Sequence, residues 1–179
     1  FLEYTGTAWA YVANPATTDM VPGNGYIVRA PLTFNNYGSP LGASDQTAIF
    51  VGEPNNGTIS RPVIGGSGQL NLLGNPYPSG LSAAPTAPAF PATGFLTANT
   101  NLNGSLYFWT HNTPIGVFLP GQYNPNDYAI FNLSGASTPG PVGTGNNTIP
   151  TGIIASGQGF FVEGLSATPS NASFTNAMR

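Results

Sequence analysis

The sequence predicts an all-β fold, a β-sandwich of about ten short strands with at most one short helix near residues 93–99. Three observations carry this. Apolar residues almost never recur at helical spacing, whereas short runs rich in Val, Ile, Phe, Tyr, Trp and Thr alternate with clusters of Gly, Pro and Asn. The 24 glycines and 18 prolines among 179 residues favour turns and strand ends over helix interiors. A hydrophobic fraction of 40% with 12% aromatic residues is enough to build a core, which separates this chain from disordered Gly/Pro-rich sequences. The length suits one core, so residues 1–179 are read as a single sandwich module.

The chain begins at Phe1 inside an apparent strand pattern, without an initiator methionine, a charged leader or a signal-type apolar run, and reads as a fragment or a processed product. Strands are expected at 7–13, 25–30, 47–52, 58–64, 69–73, 105–110, 127–133, 151–155, 158–163 and 172–175. Residues 48–53 and 58–64 flank Asn55-Asn56-Gly57, whose positive-φ residues suit a tight turn, and are expected to pair as a hairpin. Asn24-Gly25 and Asn103-Gly104 similarly open the strands that follow them. The candidate helix at 93–99 has Phe95 and Leu96 as its apolar pair, and the proline-rich run 85–91 ahead of it reads as an extended surface loop. Residues 134–147 are mostly Gly, Ser, Thr, Pro and Asn and should form the longest mobile loop.

Residues 20–29 and 154–163 share the pattern Gly-x-Gly-aromatic-apolar-Val-charged, which suggests two related halves, about 1–66 and 67–179, packed face to face. Chance in a glycine-rich alphabet is the competing explanation. If the halves pair, Glu163 faces Arg29 as a structural ion pair.

Charged residues make up only 5% of the chain, and its three cations are Arg29, Arg61 and Arg179, so a nucleic-acid surface is excluded. The net charge of -3 rules out a polybasic membrane patch, and no apolar run approaches the roughly 20 residues of a membrane span. Zero cysteines and one histidine remove disulfides, thiolate catalysis and the usual zinc and facial-triad iron sites, and no cofactor is expected.

The six carboxylates, Glu3, Asp19, Asp45, Glu53, Asp127 and Glu163, form no close pair in sequence and read as solvated strand-end charges rather than a glycosidase pair. His111 lacks a Gly-x-Ser-x-Gly elbow and reads as a hydrogen-bonded structural histidine, and the glycine clusters lack the strand-to-helix context of a phosphate loop. No catalytic residue is assigned. Asn124, Asn126 and Asp127 offer oxygen ligands for calcium, but one carboxylate among amides competes poorly with an Asx turn into the following strand. Trp109, Tyr107 and Tyr123, with Trp9, Tyr11 and Tyr128, could stack sugars, against the simpler expectation that alternate aromatics fill the core. Sequons at Asn56, Asn103, Asn132, Asn146 and Asn171 arise by chance in an Asn/Ser/Thr-rich chain.

A set of longer strings carries a family likeness. Leu70-Asn71-Leu72-Leu73-Gly74-Asn75-Pro76-Tyr77-Pro78-Ser79 is followed by 104–112, Asp127-Tyr128-Ala129, Gly157-Gln158-Gly159-Phe160-Phe161-Val162 and 174–179. In that order they resemble the β-rich module that precedes the sorting domain of large surface proteins exported by the bacterial type IX secretion system. The resemblance covers nearly the whole chain. The family usually has an acidic residue soon after Pro-Tyr-Pro-Ser, where this sequence has Gly80-Leu81-Ser82 and a proline-rich insertion; the sorting domain that the resemblance places after this module is expected to have been cleaved after export or not to be part of this chain.

The resemblance implies a protein on, or shed from, the outer surface of a gram-negative cell, in a group of adhesins, gliding-associated proteins and filaments. The expectation is therefore a non-enzymatic structural or adhesive module that associates with itself or with other surface proteins and meets the type IX machinery during export. Near-neutral surfaces and sheet edges favour such association. The alternative is a carbohydrate-binding module of an exported multidomain protein, its glycan stacked on Trp109, Tyr107 or Tyr123.

Overall fold

The computed structural model describes residues 1–6, 8–28, 47, 49–66, 68–85, 93–110, 127–137 and 149–179. It is an all-β fold of twelve described strands and one four-residue helix. The strands are β1 (Leu2–Tyr4), β2 (Trp9–Tyr11), β3 (Tyr26–Ile27), β4 (Ile59–Val63), β5 (Leu70–Gly74), β6 (Leu81–Ser82), β7 (Ser105–Trp109), β8 (Tyr128–Asn132), β9 (Gly135–Ser137), β10 (Ile153–Ile154), β11 (Gly159–Glu163) and β12 (Ser170–Phe174). The helix α1 (Phe95–Ala98) lies inside the span expected from sequence.

The centre is a five-stranded antiparallel sheet in the order β5-β11-β7-β8-β9. Its strands alternate, as the period of two requires. Leu73, Phe160, Val162, Leu106, Phe108 and Phe131 turn to one face and join a single buried core with Val63, Leu81, Ile154, Phe174 and the helix residues Phe95 and Leu96. The pairs β4–β12 and β6–β10, together with α1, close that face. At its centre Phe95 meets Phe160 edge-on at 5.3 Å and Phe174 at 4.9 Å. Against the opposite face lies the N-terminal sheet, β2-β1-β3.

The expected hairpin of 48–53 with 58–64 does not form. β4 pairs with β12 instead, from Ile59 opposite Phe174 to Val63 opposite Ser170. Ile49, Phe50 and Val51 are exposed and carry no strand, and residue 48 lies outside the described residues. The reason lies in the turn. Gly57 does take a φ of 80°, but its N–H donates to the Asn176 side chain and the Asn55 amide donates to the Pro76 carbonyl, so the turn is anchored to distant segments. Burial of Ala172 and Phe174 then gives β4 a better partner than an exposed run could. Strands β6 and β9 lacked a hydrophobic pattern long enough to expect. Of the loops expected from composition, 86–91 and 138–147 lie outside the described residues.

With so few charges, asparagine amides do much of the internal bonding. A carboxamide carries a donor and an acceptor side by side, so it can stand in for a peptide group. Asn99 takes the place of a strand next to β12: its Oδ1 accepts the Ser173 N–H at 2.7 Å and its Nδ2 donates to the Ser173 carbonyl at 3.0 Å. Asn101 adds a bond to the Asn171 carbonyl, and Asn71 clasps both backbone groups of Ile64. In the register of β4 and β12, Pro62 and Asn171 are opposite each other and turn their backbone groups outward, which is why a proline fits within β4.

Asn75 is the most connected of these residues. It is buried, its Nδ2 donates to the carbonyls of Ser79, Ile154 and Ala155, and its Oδ1 accepts the Tyr77 N–H. Tyr77 is buried below it, donates its hydroxyl to the Gly57 carbonyl at 2.6 Å, and lies under the Arg179 guanidinium at 4.9 Å. Burial pushes the Tyr77 phenol above its usual range, and the Arg179 charge partly opposes this. The Asn75–Ser79 string is therefore a structural clasp joining β5, β10 and the C-terminal turn.

The two Gly-x-Gly segments flank the end of β5. The Gly74 N–H donates to Gly23, and the Asn75 N–H donates to Gln158. Beyond this point they diverge, β3 pairing with β1 and β11 with β5 and β7. Gly25 has to be glycine, because a Cβ there would run into Leu72 and the Leu73 carbonyl.

Candidate functional site

The outward face of the central sheet gathers the aromatic residues that do not enter the core. Direct cross-strand pairing puts Tyr107 beside Phe161 and Trp109 beside Tyr128. Phe161 is the hub: Tyr4, Trp9 and Tyr128 all meet its ring edge-on, at 5.7, 6.2 and 5.9 Å. Tyr4 and Trp9 also contact each other at 5.1 Å, which fixes the N-terminal sheet on this face. Trp9 is 39% exposed, Trp109 40% and Tyr11 85%, so the cluster ends in two open indoles and a phenol on an edge strand.

This corrects the expectation that these aromatics fill the core. Phe, which has no polar atom to satisfy, occupies the core at positions 95, 108, 131, 160 and 174, whereas Trp9, Tyr11, Tyr107, Trp109 and Tyr128 are only partly buried or exposed. The Tyr107 hydroxyl, for example, faces the Asn103 amide at 3.5 Å.

The charged candidates are dispersed. Glu163 accepts a 2.8 Å bond from Asn103, and its expected partner Arg29 lies outside the described residues. Asp127 is buried at the start of β8, where its carbonyl accepts both the N–H and the hydroxyl of Thr110 at 2.8 Å. Glu3 is on β1, and Asp19 and Glu53 are exposed. Asp45, His111, Tyr123, Asn124 and Asn126 lie outside the described residues. Among the described residues no three His, Cys, Asp or Glu side chains come together as a metal site, and no helix is long and apolar enough to cross a membrane.

Where β7 ends and β8 begins, a cleft of about 290 Å³ opens between them and the segment leading into β10. Among the described residues its lining combines the apolar Phe108, Trp109, Ala129, Ile149, Pro150 and Ile153 with the polar Thr110, Thr151 and Gln158. Gly152 brings this segment close to the sheet, since a Cβ there would lie 2.7 Å from the Phe131 ring.

A family described as a domain of unknown function, DUF8693, matches residues 2–179. The chain belongs to the DUF8693 family. No curated protein and no solved structure matches it. In this DUF8693 domain the sequence-derived pair Tyr107 and Trp109 does share one sheet face, joined there by Tyr128. Gln158, Thr151 and Thr110 were not singled out from sequence, because each reads as an ordinary turn or strand-end residue and only the crossing of β7, β8 and the β10 approach brings them together.

Proposed function

We propose that this DUF8693 domain is a non-enzymatic module of an extracellular protein on the surface of a gram-negative bacterium, exported by type IX secretion, with a structural or adhesive role. The observation that supports this best is the aromatic outer face, with Trp9, Tyr11 and Trp109 open on a chain that has only 5% charged residues. Such a face gains from burial against a partner and meets little charge repulsion.

Self-association would use particular edges. Asn99 and Asn101 cover the outer side of β12, and Gly23 and Gly25 bond along the outer side of β5. Among the described residues β2 and β9 lie at sheet edges, and β2 carries Trp9 and Tyr11. Sedimentation over a range of concentrations, with electron microscopy of the same samples, tests the reading. Concentration-dependent oligomers or filaments are expected, weakened when Tyr11 is replaced by a charged residue. A strictly monomeric protein at high concentration removes self-assembly and leaves adhesion to other molecules.

A second reading, glycan binding, is favoured by one specific observation: Trp109, 40% exposed, is among the residues lining a cleft that also includes Thr110, Thr151 and Gln158.

A further inference from the structure

We infer that Asn56 and Gly57 form a self-modification site, at which the Gly57 backbone nitrogen closes on the Asn56 side chain and Asn176 relays the protons of that step. The site shares no residue with the aromatic face and is independent of the adhesive and glycan readings.

An Asn-Gly step holds both reactants of one reaction. The glycine nitrogen lies one peptide unit from the asparagine carboxamide, and with no Cβ beside it the approach is open. The chain has three such steps, Asn24-Gly25, Asn56-Gly57 and Asn103-Gly104. The fold surrounds them differently. At Asn56 a single neighbouring group touches both reacting atoms: Asn176 Oδ1 accepts the Gly57 N–H at 3.1 Å, and Asn176 Nδ2 donates to Asn56 Oδ1 at 2.8 Å. Arg179 also donates to Asn176 Oδ1, at 3.2 Å, so two donors fix which end of this carboxamide is oxygen. Nucleophile and electrophile are thus held along one carboxamide edge. Gly57 is itself anchored, its carbonyl accepting the Tyr77 hydroxyl at 2.6 Å, and Asn56 and Asn176 are exposed, so water can enter and ammonia can leave.

The Gly57 nitrogen attacks Asn56 Cγ and forms the N–C bond of a succinimide ring. Its proton passes to Asn176 Oδ1 while an Nδ2 proton of Asn176 passes to Asn56 Oδ1, so no free oxyanion develops. Asn176 is left as its imidic acid tautomer. On collapse its O–H proton goes to the departing Asn56 nitrogen, the new hydroxyl returns a proton to the Asn176 nitrogen, and the C–N bond breaks to release ammonia. Water then opens the ring at either carbonyl to give aspartate or isoaspartate. Isoaspartate lengthens the main chain beside Gly57 and strains its bonds to Asn176 and Tyr77.

The other two steps lack this relay. The Gly25 N–H donates to the Leu72 carbonyl, which has no proton to return, and Gly25 is buried. Asn103 Oδ1 accepts the Ser105 N–H at 3.0 Å and its Nδ2 donates to the Glu163 carboxylate at 2.8 Å, whose negative charge opposes charge building on the same amide.

The test is peptide mapping by mass spectrometry of the full chain aged at neutral pH, with a synthetic peptide of residues 53–60 giving the rate of the same step without the fold. Asn56 should convert faster than in the peptide, and about tenfold or more faster than Asn24 and Asn103. Asn176→Ala, an exposed change, should slow Asn56 about tenfold while leaving Asn103 unchanged, with circular dichroism to check that the variant is folded. A group that merely clamps the turn gives the opposite sign. Asn56 slower in the folded chain than in the peptide, or faster in Asn176→Ala than in the native chain, would overturn the inference, and the comparison with the peptide decides even if Asn176→Ala folds poorly. Conversion of Asn24 or Asn103 ahead of Asn56 would overturn it as well.

Discussion

Replacing Asn75 by alanine should remove a large part of the stability of this domain. The side chain shares its two N–H donors among three carbonyls and accepts one bond from Tyr77, with donor–acceptor distances of 2.8–3.1 Å. At least two of the partners, the Tyr77 N–H and the Ile154 carbonyl, lie in buried contacts where water cannot replace the lost amide. Each buried group left without a partner costs about 1–3 kcal/mol, so the expected loss is about 3–5 kcal/mol. That is a substantial share of the roughly 5–15 kcal/mol that holds a typical domain together. Urea unfolding followed by tryptophan fluorescence would read it as a lower midpoint with an unchanged slope. Asn75→Asp sharpens the test. The carboxylate still accepts the Tyr77 N–H but faces three carbonyl oxygens, so burial and repulsion raise its pKa in the folded state. Its destabilisation should therefore be small below the unfolded carboxylate pKa of about 3.9 and grow as pH rises through the folded value. A loss below about 1 kcal/mol for Asn75→Ala, or an Asn75→Asp variant that is no better in acid, would refute the view that this amide joins β5 to β10.

Three further outcomes follow from the same geometry. Tyr77→Phe loses the 2.6 Å bond to Gly57 and should cost about 1 kcal/mol. Because the folded-state phenol titrates above its usual value, that residue's stabilisation is complete below about pH 10 and is lost as pH rises through the folded pKa, so alkaline unfolding should be shallower in Tyr77→Phe. Gly65→Ala should fail to fold or lose several kcal/mol, since its Cβ would collide with the Gly164 backbone, whereas Gly104→Ala, at φ 81° with open space around it, should cost only about 1 kcal/mol in thermal melts. Ser79→Ala should be neutral or mildly stabilising by the same melts, because the buried Ser79 hydroxyl has no hydrogen-bond partner among the described residues.

Short-range signals were enough to place much of the fold. Residues 59–63, 105–109, 128–132 and 159–163 alternate or run apolar between Asn, Gly and Pro, and all four are strands. The Phe95-Leu96 pair after Gly94 sufficed for α1, since both side chains point into the core that an isolated helical turn needs. Partner choice was less legible. The Asn-Gly turn at 56–57 suggested a local hairpin, but β4 found β12 more than a hundred residues away, because a strand goes where its inward side chains are buried best.

Of the candidate site, Tyr107 and Trp109 were legible as aromatic residues two positions apart on a strand, hence on one face. Whether that face was core or surface was not. Alternation tells which residues share a side of the sheet and leaves open which side is covered. Phe160 and Phe161 make the point: adjacent in sequence, one joins the core and the other gathers Tyr4, Trp9 and Tyr128 on the opposite face. The sequence by itself determined the strand chemistry, the scarcity of charge and the aromatic content. Only the tertiary structure decided that asparagine amides bond buried backbone in place of neighbouring strands, and that Trp109, Thr110, Thr151 and Gln158 share one cleft. Both outcomes depend on segments far apart in the chain, and their contacts are set by which burial satisfies the most apolar surface and the most backbone groups at once.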